Sequence, residues 1–361
     1  MKKAIWAVLI VLFAVSCSGK KETGTASASS GEKATASSGE NATAKSSGGS
    51  TGTVKAGTPA PASDFDVSLS TKDGVDVVLI TDYKGKAKNL TIPATIEDYP
   101  VFSVSIKSLN PNVEQLFIPE GVESVGLQDN INNPVAFPNL RAVSLPNTLK
   151  SIGSFNGCIN LNSIIIPSSV TYIVNNAFKG TGLQSVAIPS SVETIGPNAF
   201  SESKSLTSVE IFGNFRSFLP FWKCDNLKTV IINEGVTEIG ESTFNGLKLL
   251  ETLKLPESLT SIGTEAFKDS TSLTSIVIPK GVNAIYSKAF ENSGLTEITI
   301  LKNDEVLELY NDAFKDCKNL VTVNFEDGAT INFIGTGHFS GCPNLSLKSQ
   351  AAIKKAKGGG L

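Results

Sequence analysis

From Phe65 onward the apolar residues fall into a pattern that returns about every 23 residues. The clearest unit runs Leu161-Asn-Ser-Ile164-Ile-Ile166-Pro167-Ser-Ser-Val170-Thr-Tyr-Ile173, followed by Ala177-Phe178. It returns around Pro189, Pro256 and Pro279, each time with a second apolar pair and then Ala199-Phe200, Ala266-Phe267 or Ala289-Phe290. The residue after each strand of the Ile-x-Ile type gives eleven anchors: Pro93, Pro119, Pro146, Pro167, Pro189, Phe212, Asn233, Pro256, Pro279, Leu301 and Glu326. Two apolar residues spaced by two share one face of an extended segment, so each unit predicts a short strand. Proline then ends the strand, because it has no N–H to donate to a ladder. The second pair turns the chain back over the core, glycine suits the bend that follows, and Ala-Phe sends a ring into the interior. No single unit buries its own apolar face, so the units must stack into a solenoid.

The start of the chain has a different character. Met1 to Lys3 is basic, Ala4 to Val15 is almost wholly apolar, and Ser16-Cys17-Ser18-Gly19 follows. That is the layout of a secretory signal over residues 1–16. Its end resembles the lipobox of bacterial lipoproteins, although Ala14 stands where that family usually has leucine. The resemblance implies that the chain is cut before Cys17, whose thiol carries a lipid. Residues 17–63 are rich in Ser, Gly, Thr and Ala with scattered charge, and they read as a disordered tether. Nothing after residue 16 supplies the apolar length of a membrane helix. The whole chain of 361 residues has a formal net charge of −3 and is 40% hydrophobic, which argues against a nucleic-acid partner.

The repeat template, Leu-x-Ser-Ile-x-Ile-Pro-x-x-Val-x-x-Ile-Gly-x-x-Ala-Phe-x-x-Cys, resembles the BspA-like, or treponemal, class of bacterial leucine-rich repeats. The expected fold is therefore a β-rich leucine-rich-repeat solenoid over residues 64–345, with short capping elements and the disordered tether before it. Residues 65–83 read as a hairpin cap over the first turn. Residues 346–361 read as a C-terminal cap and tail, with a short helix from Ser349 to Lys357 stopped by Gly358. Members of the class are known as surface adhesins that bind host matrix proteins, host receptors or other bacteria. The resemblance thus implies a monomeric interaction module, lipid-anchored to the bacterial outer membrane at the cell surface. A structural envelope protein without a ligand remains open, and so does a hydrolase acting on surface polymers.

Catalytic chemistry finds little material. Cys158, Cys224, Cys317 and Cys342 each follow the repeat Phe by three residues, so they read as core positions and free thiols, not metal ligands. His338 takes the Ala slot of the last Ala-Phe pair and is the only histidine, which leaves no metal pair and no triad with a base. No catalytic residue, metal or cofactor is expected. Candidate ligand-binding residues come instead from two places. On the strand face, the fifth position of the strand motif points to solvent and carries Phe117, Ile165 and Ile231, with Val277, among Ala187, Glu210 and Lys254. The turn from Leu206 to Leu227 departs from the template: Phe212 replaces proline, and two residues are missing before Phe221. There Phe215 and Phe218 are expected in the core, with Phe212, Arg216 and Trp222 available to a partner.

Overall fold

The computed structural model describes residues 56–108, 110–127 and 137–358. The signal, the Cys17 lipidation site and the tether up to residue 55 lie outside the described residues. The described chain is a β-solenoid with one helix, as the template predicts.

The predicted strands stack in parallel. Ser185–Ile188, Ser208–Ile211, Thr229–Ile232 and Thr252–Lys254 form one sheet, in a register that places Val186 beside Val209, Val230 and Leu253. Asn89–Thr91, Gln115–Phe117 and Ala142–Ser144 form a second stretch of the same ladder, and Ser275–Ile278, Glu297–Ile300 and Thr322–Phe325 a third. Between the first two stretches lies the clearest sequence unit, Leu161 to Pro167, which forms no strand.

The second apolar pair does more than turn the chain. It makes a second parallel ladder of very short strands, including Ser151–Ile152, Tyr172–Ile173 and Thr194–Ile195, and later Glu238–Ile239, Ser261–Ile262 and Ala284–Ile285. With only two residues per pass, no alternation was available in the sequence to mark these as strands.

Behind the two ladders runs a column of rings. Phe155, Phe178, Phe200, Phe221, Phe244, Phe267, Phe290, Phe314 and Phe339 stack on one another, with centroids 5.2 Å apart at the closest and planes nearly parallel. All but Phe339 are fully buried. The Ala-Phe step is thus the interior of the third side of each turn.

At Gly196 and Gly263 the glycine of the template serves close approach, not an unusual dihedral angle. A Cβ at Gly263 would lie 2.7 Å from the Gly240 carbonyl carbon, and one at Gly196 would lie 2.3 Å from the Asn175 nitrogen. The left-handed conformations fall two residues later, at Asn176, Asn198, Ser242, Glu265 and Lys288.

Both ends are capped. At the start, β1 (Phe65–Lys72) and β2 (Val75–Tyr83) form an antiparallel hairpin, and β2 pairs in parallel with Tyr99–Ser105 of the second ladder. Asp73 and Gly74, with φ of 51° and 82°, make the two-residue turn that suits the twist of a hairpin. The end of the segment placed with the tether is also held. Gly57 and Ala60 donate backbone hydrogen bonds to Thr91, at 3.0 Å each, and Ala60 packs against the core. At the other end, α1 (Leu347–Ala356) begins two residues earlier than expected, because Ser346 caps it by accepting from the Ser349 N–H. The Ser349 hydroxyl accepts from Val323 N–H and donates to Val321 C=O, closing the last strand of the first ladder.

Candidate functional site

On the first ladder, burial alternates as the strand period requires. Ser185–Ile188 and Ser275–Ile278 each read exposed, buried, exposed, buried. Ile165 is 69% exposed and Val277 54% exposed, while Phe117 and Ile231 are half-buried. They occupy equivalent outward slots but are separated along the column. Ile231 lies between Glu210 and Lys254, and Phe117 between Thr91 and Ser144. The result is a polar face with aliphatic side chains spaced along it.

The irregular turn differs from expectation in one respect. Phe215 packs against the core, but Phe218 is 51% exposed. The reason is register. Arg216 bridges to Thr194, so the following Ser217 takes the slot of the buried Ile195 and Phe218 takes that of Gly196. The shortened turn also lacks a backbone acceptor for the next pass, and the Asn214 side chain supplies one. Its Oδ1 accepts from Thr237 N–H at 2.9 Å and from Glu238 N–H at 3.1 Å.

Phe212, Arg216 and Trp222 are not brought together. Phe212 follows a first-ladder strand, Arg216 sits on the second ladder, and Trp222 follows a ring of the column. Trp222 is 39% exposed, with the Lys223 ammonium 4.1 Å from its ring centroid. Phe212 is half-buried and Arg216 exposed.

One aromatic feature was missed. In consecutive turns Tyr286 and Tyr310 replace the template glycine, and their rings stack with centroids 5.0 Å apart. The Tyr310 hydroxyl donates to Glu308 at 2.8 Å, while Tyr286 stays partly exposed. The signal was present as the loss of glycine from one slot in two successive units.

The cysteines occupy the core, as their shared template position requires. Cys224 donates its S–H to the Phe200 carbonyl, and Cys342 to that of Phe314, one turn back in each case. Ser203 does the same to Phe178 with a hydroxyl. Burial pushes the Cys158 and Cys224 thiols up to about 12. The neighbouring Cys342 side chain shifts Cys317 down, and the same contact, together with burial, shifts Cys342 up; all four are free thiols. His338 is buried, with Nε2 3.0 Å from the Ile334 carbonyl and its ring edge-on to Phe333. Among the described residues no group of three or more His, Cys, Asp or Glu is placed to hold a metal, and no helix is long and apolar enough to cross a membrane.

Outside the ring column runs a charge network. Lys268 pairs with Glu291 at 3.0 Å and Glu265 at 3.4 Å, and Lys315 pairs with Glu291 at 3.6 Å. Opposite charges neutralise one another along this side, which therefore presents no field of one sign.

The repeat geometry has a sequence counterpart. Residues 135–220 and 220–346 match the BspA type leucine rich repeat region, in six copies. The chain belongs to that family. Solved structures similar to it include a leucine-rich repeat protein from Bacteroides ovatus, 22% identical over 78% of this chain and 92% of that one, with a TM-score of 0.31. The leucine rich repeat protein of T. pallidum is 22% identical over 82% and 95%, with a TM-score of 0.29. The pneumococcal vaccine antigen PcpA is 18% identical over 84% and 97%, with a TM-score of 0.34. No curated protein matches the chain. The turn from Leu206 to Leu227 and the Tyr286–Tyr310 step are two departures from the chain's own repeat template.

Proposed function

We propose that this BspA-type protein is an adhesin. It is exported, anchored to the outer membrane by a lipid on Cys17, and binds host matrix proteins, host receptors or other bacteria through the outward faces of its solenoid. The observation that carries the reading is the first-ladder face, where Val277 on its strand and Ile165 at the equivalent slot of a turn without a strand both stand more than half exposed. Stacked repeats offer extended surfaces of this kind, and exposed side chains held on strands meet a partner at little entropic cost. Phe117 and Ile231 add half-buried contacts on the same column, and Phe212, Arg216 and Trp222 are the polar–aromatic contacts of the irregular turn. Tyrosine, tryptophan and arginine are the residue types that dominate interface energetics.

The test is capture of matrix proteins and of partner bacteria by the full chain, compared with a variant carrying Ile165→Asp and Val277→Asp. The variant should keep its melting temperature, because both side chains already face water, and lose roughly tenfold or more in affinity. Undiminished capture would remove the first ladder from the reading. The lipid anchor is tested separately, by mass spectrometry of the mature N-terminus, where an unmodified Cys17 would overturn it.

A further inference from the structure

Among the described residues, the hairpin at the start of the solenoid leaves one strand edge open. β1 stands at the end of its sheet, paired among the described residues only with β2, and from Ser68 to Lys72 every residue is exposed. Its apolar side chains are on the core side of the sheet. Val67 lies opposite Ile80 and Leu69 opposite Val78, and both partners are 1% exposed. Yet Val67 is 43% and Leu69 64% exposed, so the core-facing surface continues past the core onto a strand that no described residue covers. A long, open edge with apolar residues is a template for pairing with another strand.

The two-residue turn determines which groups face outward. Lys72 and Val75 close the turn as a hydrogen-bonded pair, and the pattern alternates along an antiparallel ladder. The N–H and C=O groups of Thr71, Leu69 and Val67 therefore point to the free edge. These three residues are spaced by two and centred on Leu69. A second β1, brought up antiparallel about a two-fold axis at Leu69, sets Leu69 against its own copy and Val67 against Thr71. About six main-chain hydrogen bonds would form. The same register sets Asp66 of each copy opposite Lys72 of the other. Both side chains are substantially exposed, at 48% and 44%, with Lys84 already on Asp66 and Asp73 and Glu123 near Lys72. No other symmetric register places opposite charges against each other at both ends.

We propose that β1 is a self-association edge: two copies of this chain pair β1 to β1, antiparallel and centred on Leu69, to form a two-fold dimer whose sheet runs through both hairpins. The sequence led us to expect a monomer, and the free edge and its self-complementary charges are what change that. A symmetric interface contacts itself, so one strand supplies both halves. The ion pairs fix register more than affinity, since exposed pairs contribute little.

The experiment is sedimentation velocity on the full chain carrying Cys17→Ala, which removes acyl-driven association, over a broad concentration range. A reversible dimer is expected at micromolar to tens of micromolar concentration. Asp66→Lys alone and Lys72→Asp alone each create two like-charge contacts per dimer and should weaken association about tenfold. The double variant, with the charges exchanged, should return it to within about twofold of the starting chain. Leu69→Cys should form a disulfide-linked dimer under mild oxidation, and Val75→Cys, on the inner strand, should not. A chain that stays monomeric throughout, or a dimer indifferent to both reversals, overturns the proposal.

Discussion

The ring of Phe267 lies parallel to that of Phe290, their centroids 5.3 Å apart and their planes 11° from coplanar. Each ring in the column fills space for the turn before and the turn after, so its removal opens a void that two neighbours share. Phe267→Ala is expected to cost about 3–5 kcal/mol, in line with large ring deletions in packed cores. Chemical denaturation should show it as a lower midpoint at unchanged slope. A variant melting within a degree or two of the parent would mean the column is not what holds the turns together.

Glycine at one template slot predicts opposite results in adjacent turns. At Gly263 an added Cβ meets Gly240 backbone at 2.7 Å, whereas at Gly240 the nearest atom is the Thr243 hydroxyl at 3.3 Å. Backbone cannot give way as a rotatable hydroxyl can. Gly263→Ala should therefore destabilise by roughly 1–3 kcal/mol. Gly240→Ala should change stability by under about 0.5 kcal/mol. Equal losses at the two sites would show that the turns approach each other differently from the stacking described above.

The eleven turns were legible because one template recurs, and each copy of Pro, Ala-Phe and the strand pair reinforces the others. What stayed hidden has physical causes. The second ladder uses strands as short as Ser261–Ile262, too short for a period to appear. The exposure of Phe218 depends on a register shift through Arg216, which composition cannot show. The left-handed positions fall on Glu265 and Lys288, residue types that do not advertise that conformation. The candidate faces could be placed from the strand alternation. That Phe212, Arg216 and Trp222 lie on three sides of one turn could not, because spacing along the chain does not report which side of a solenoid a residue occupies.

The boundary of the folded unit is also testable. Composition put residues up to 63 in the tether, but Gly57 and Ala60 both bond to Thr91. A chain beginning at Ala56 should match the parent in stability. One beginning at Ser63 loses the Gly57 bond to the Thr91 hydroxyl, the Ala60 bond to the Thr91 carbonyl and the Ala60 contact, and should fall by roughly 1–3 kcal/mol. Identical melting of the two would mean these contacts contribute nothing.

Acid should find the charge network. Burial raises the Glu291 carboxyl, but the hydrogen bond from Lys268 and the charges of Lys268, Lys288 and Lys315 outweigh it and hold the group below its ordinary value of 4.5. A carboxyl depressed in the folded state binds its proton more readily once unfolded. Its contribution is complete above the unfolded value and is lost as pH falls through the folded one. Stability measured against pH should therefore drop below about pH 4.5, and Glu291→Gln should flatten that limb while lowering the neutral plateau. An unchanged acid limb in the variant would assign the pH dependence elsewhere.

The irregular turn offers the sharpest division between packing and recognition. Phe215 packs on the core, so Phe215→Ala should lower the melting temperature whatever the partner does. Trp222 is exposed under the Lys223 ammonium, and Arg216 holds its ladder bonds through backbone atoms alone. Trp222→Ala and Arg216→Ala should thus leave melting nearly unchanged. Because these two and Phe212 occupy different sides of the turn, a partner docking on one side contacts one of them. A partner bound here should lose about 1–2 kcal/mol of affinity with one of the three alanine variants and little with the others. Equal losses from all three would require a partner that wraps the turn. Intact affinity throughout, with stability lost only at Phe215, would make this turn a packing repair for its two missing residues and leave recognition to the ladder face.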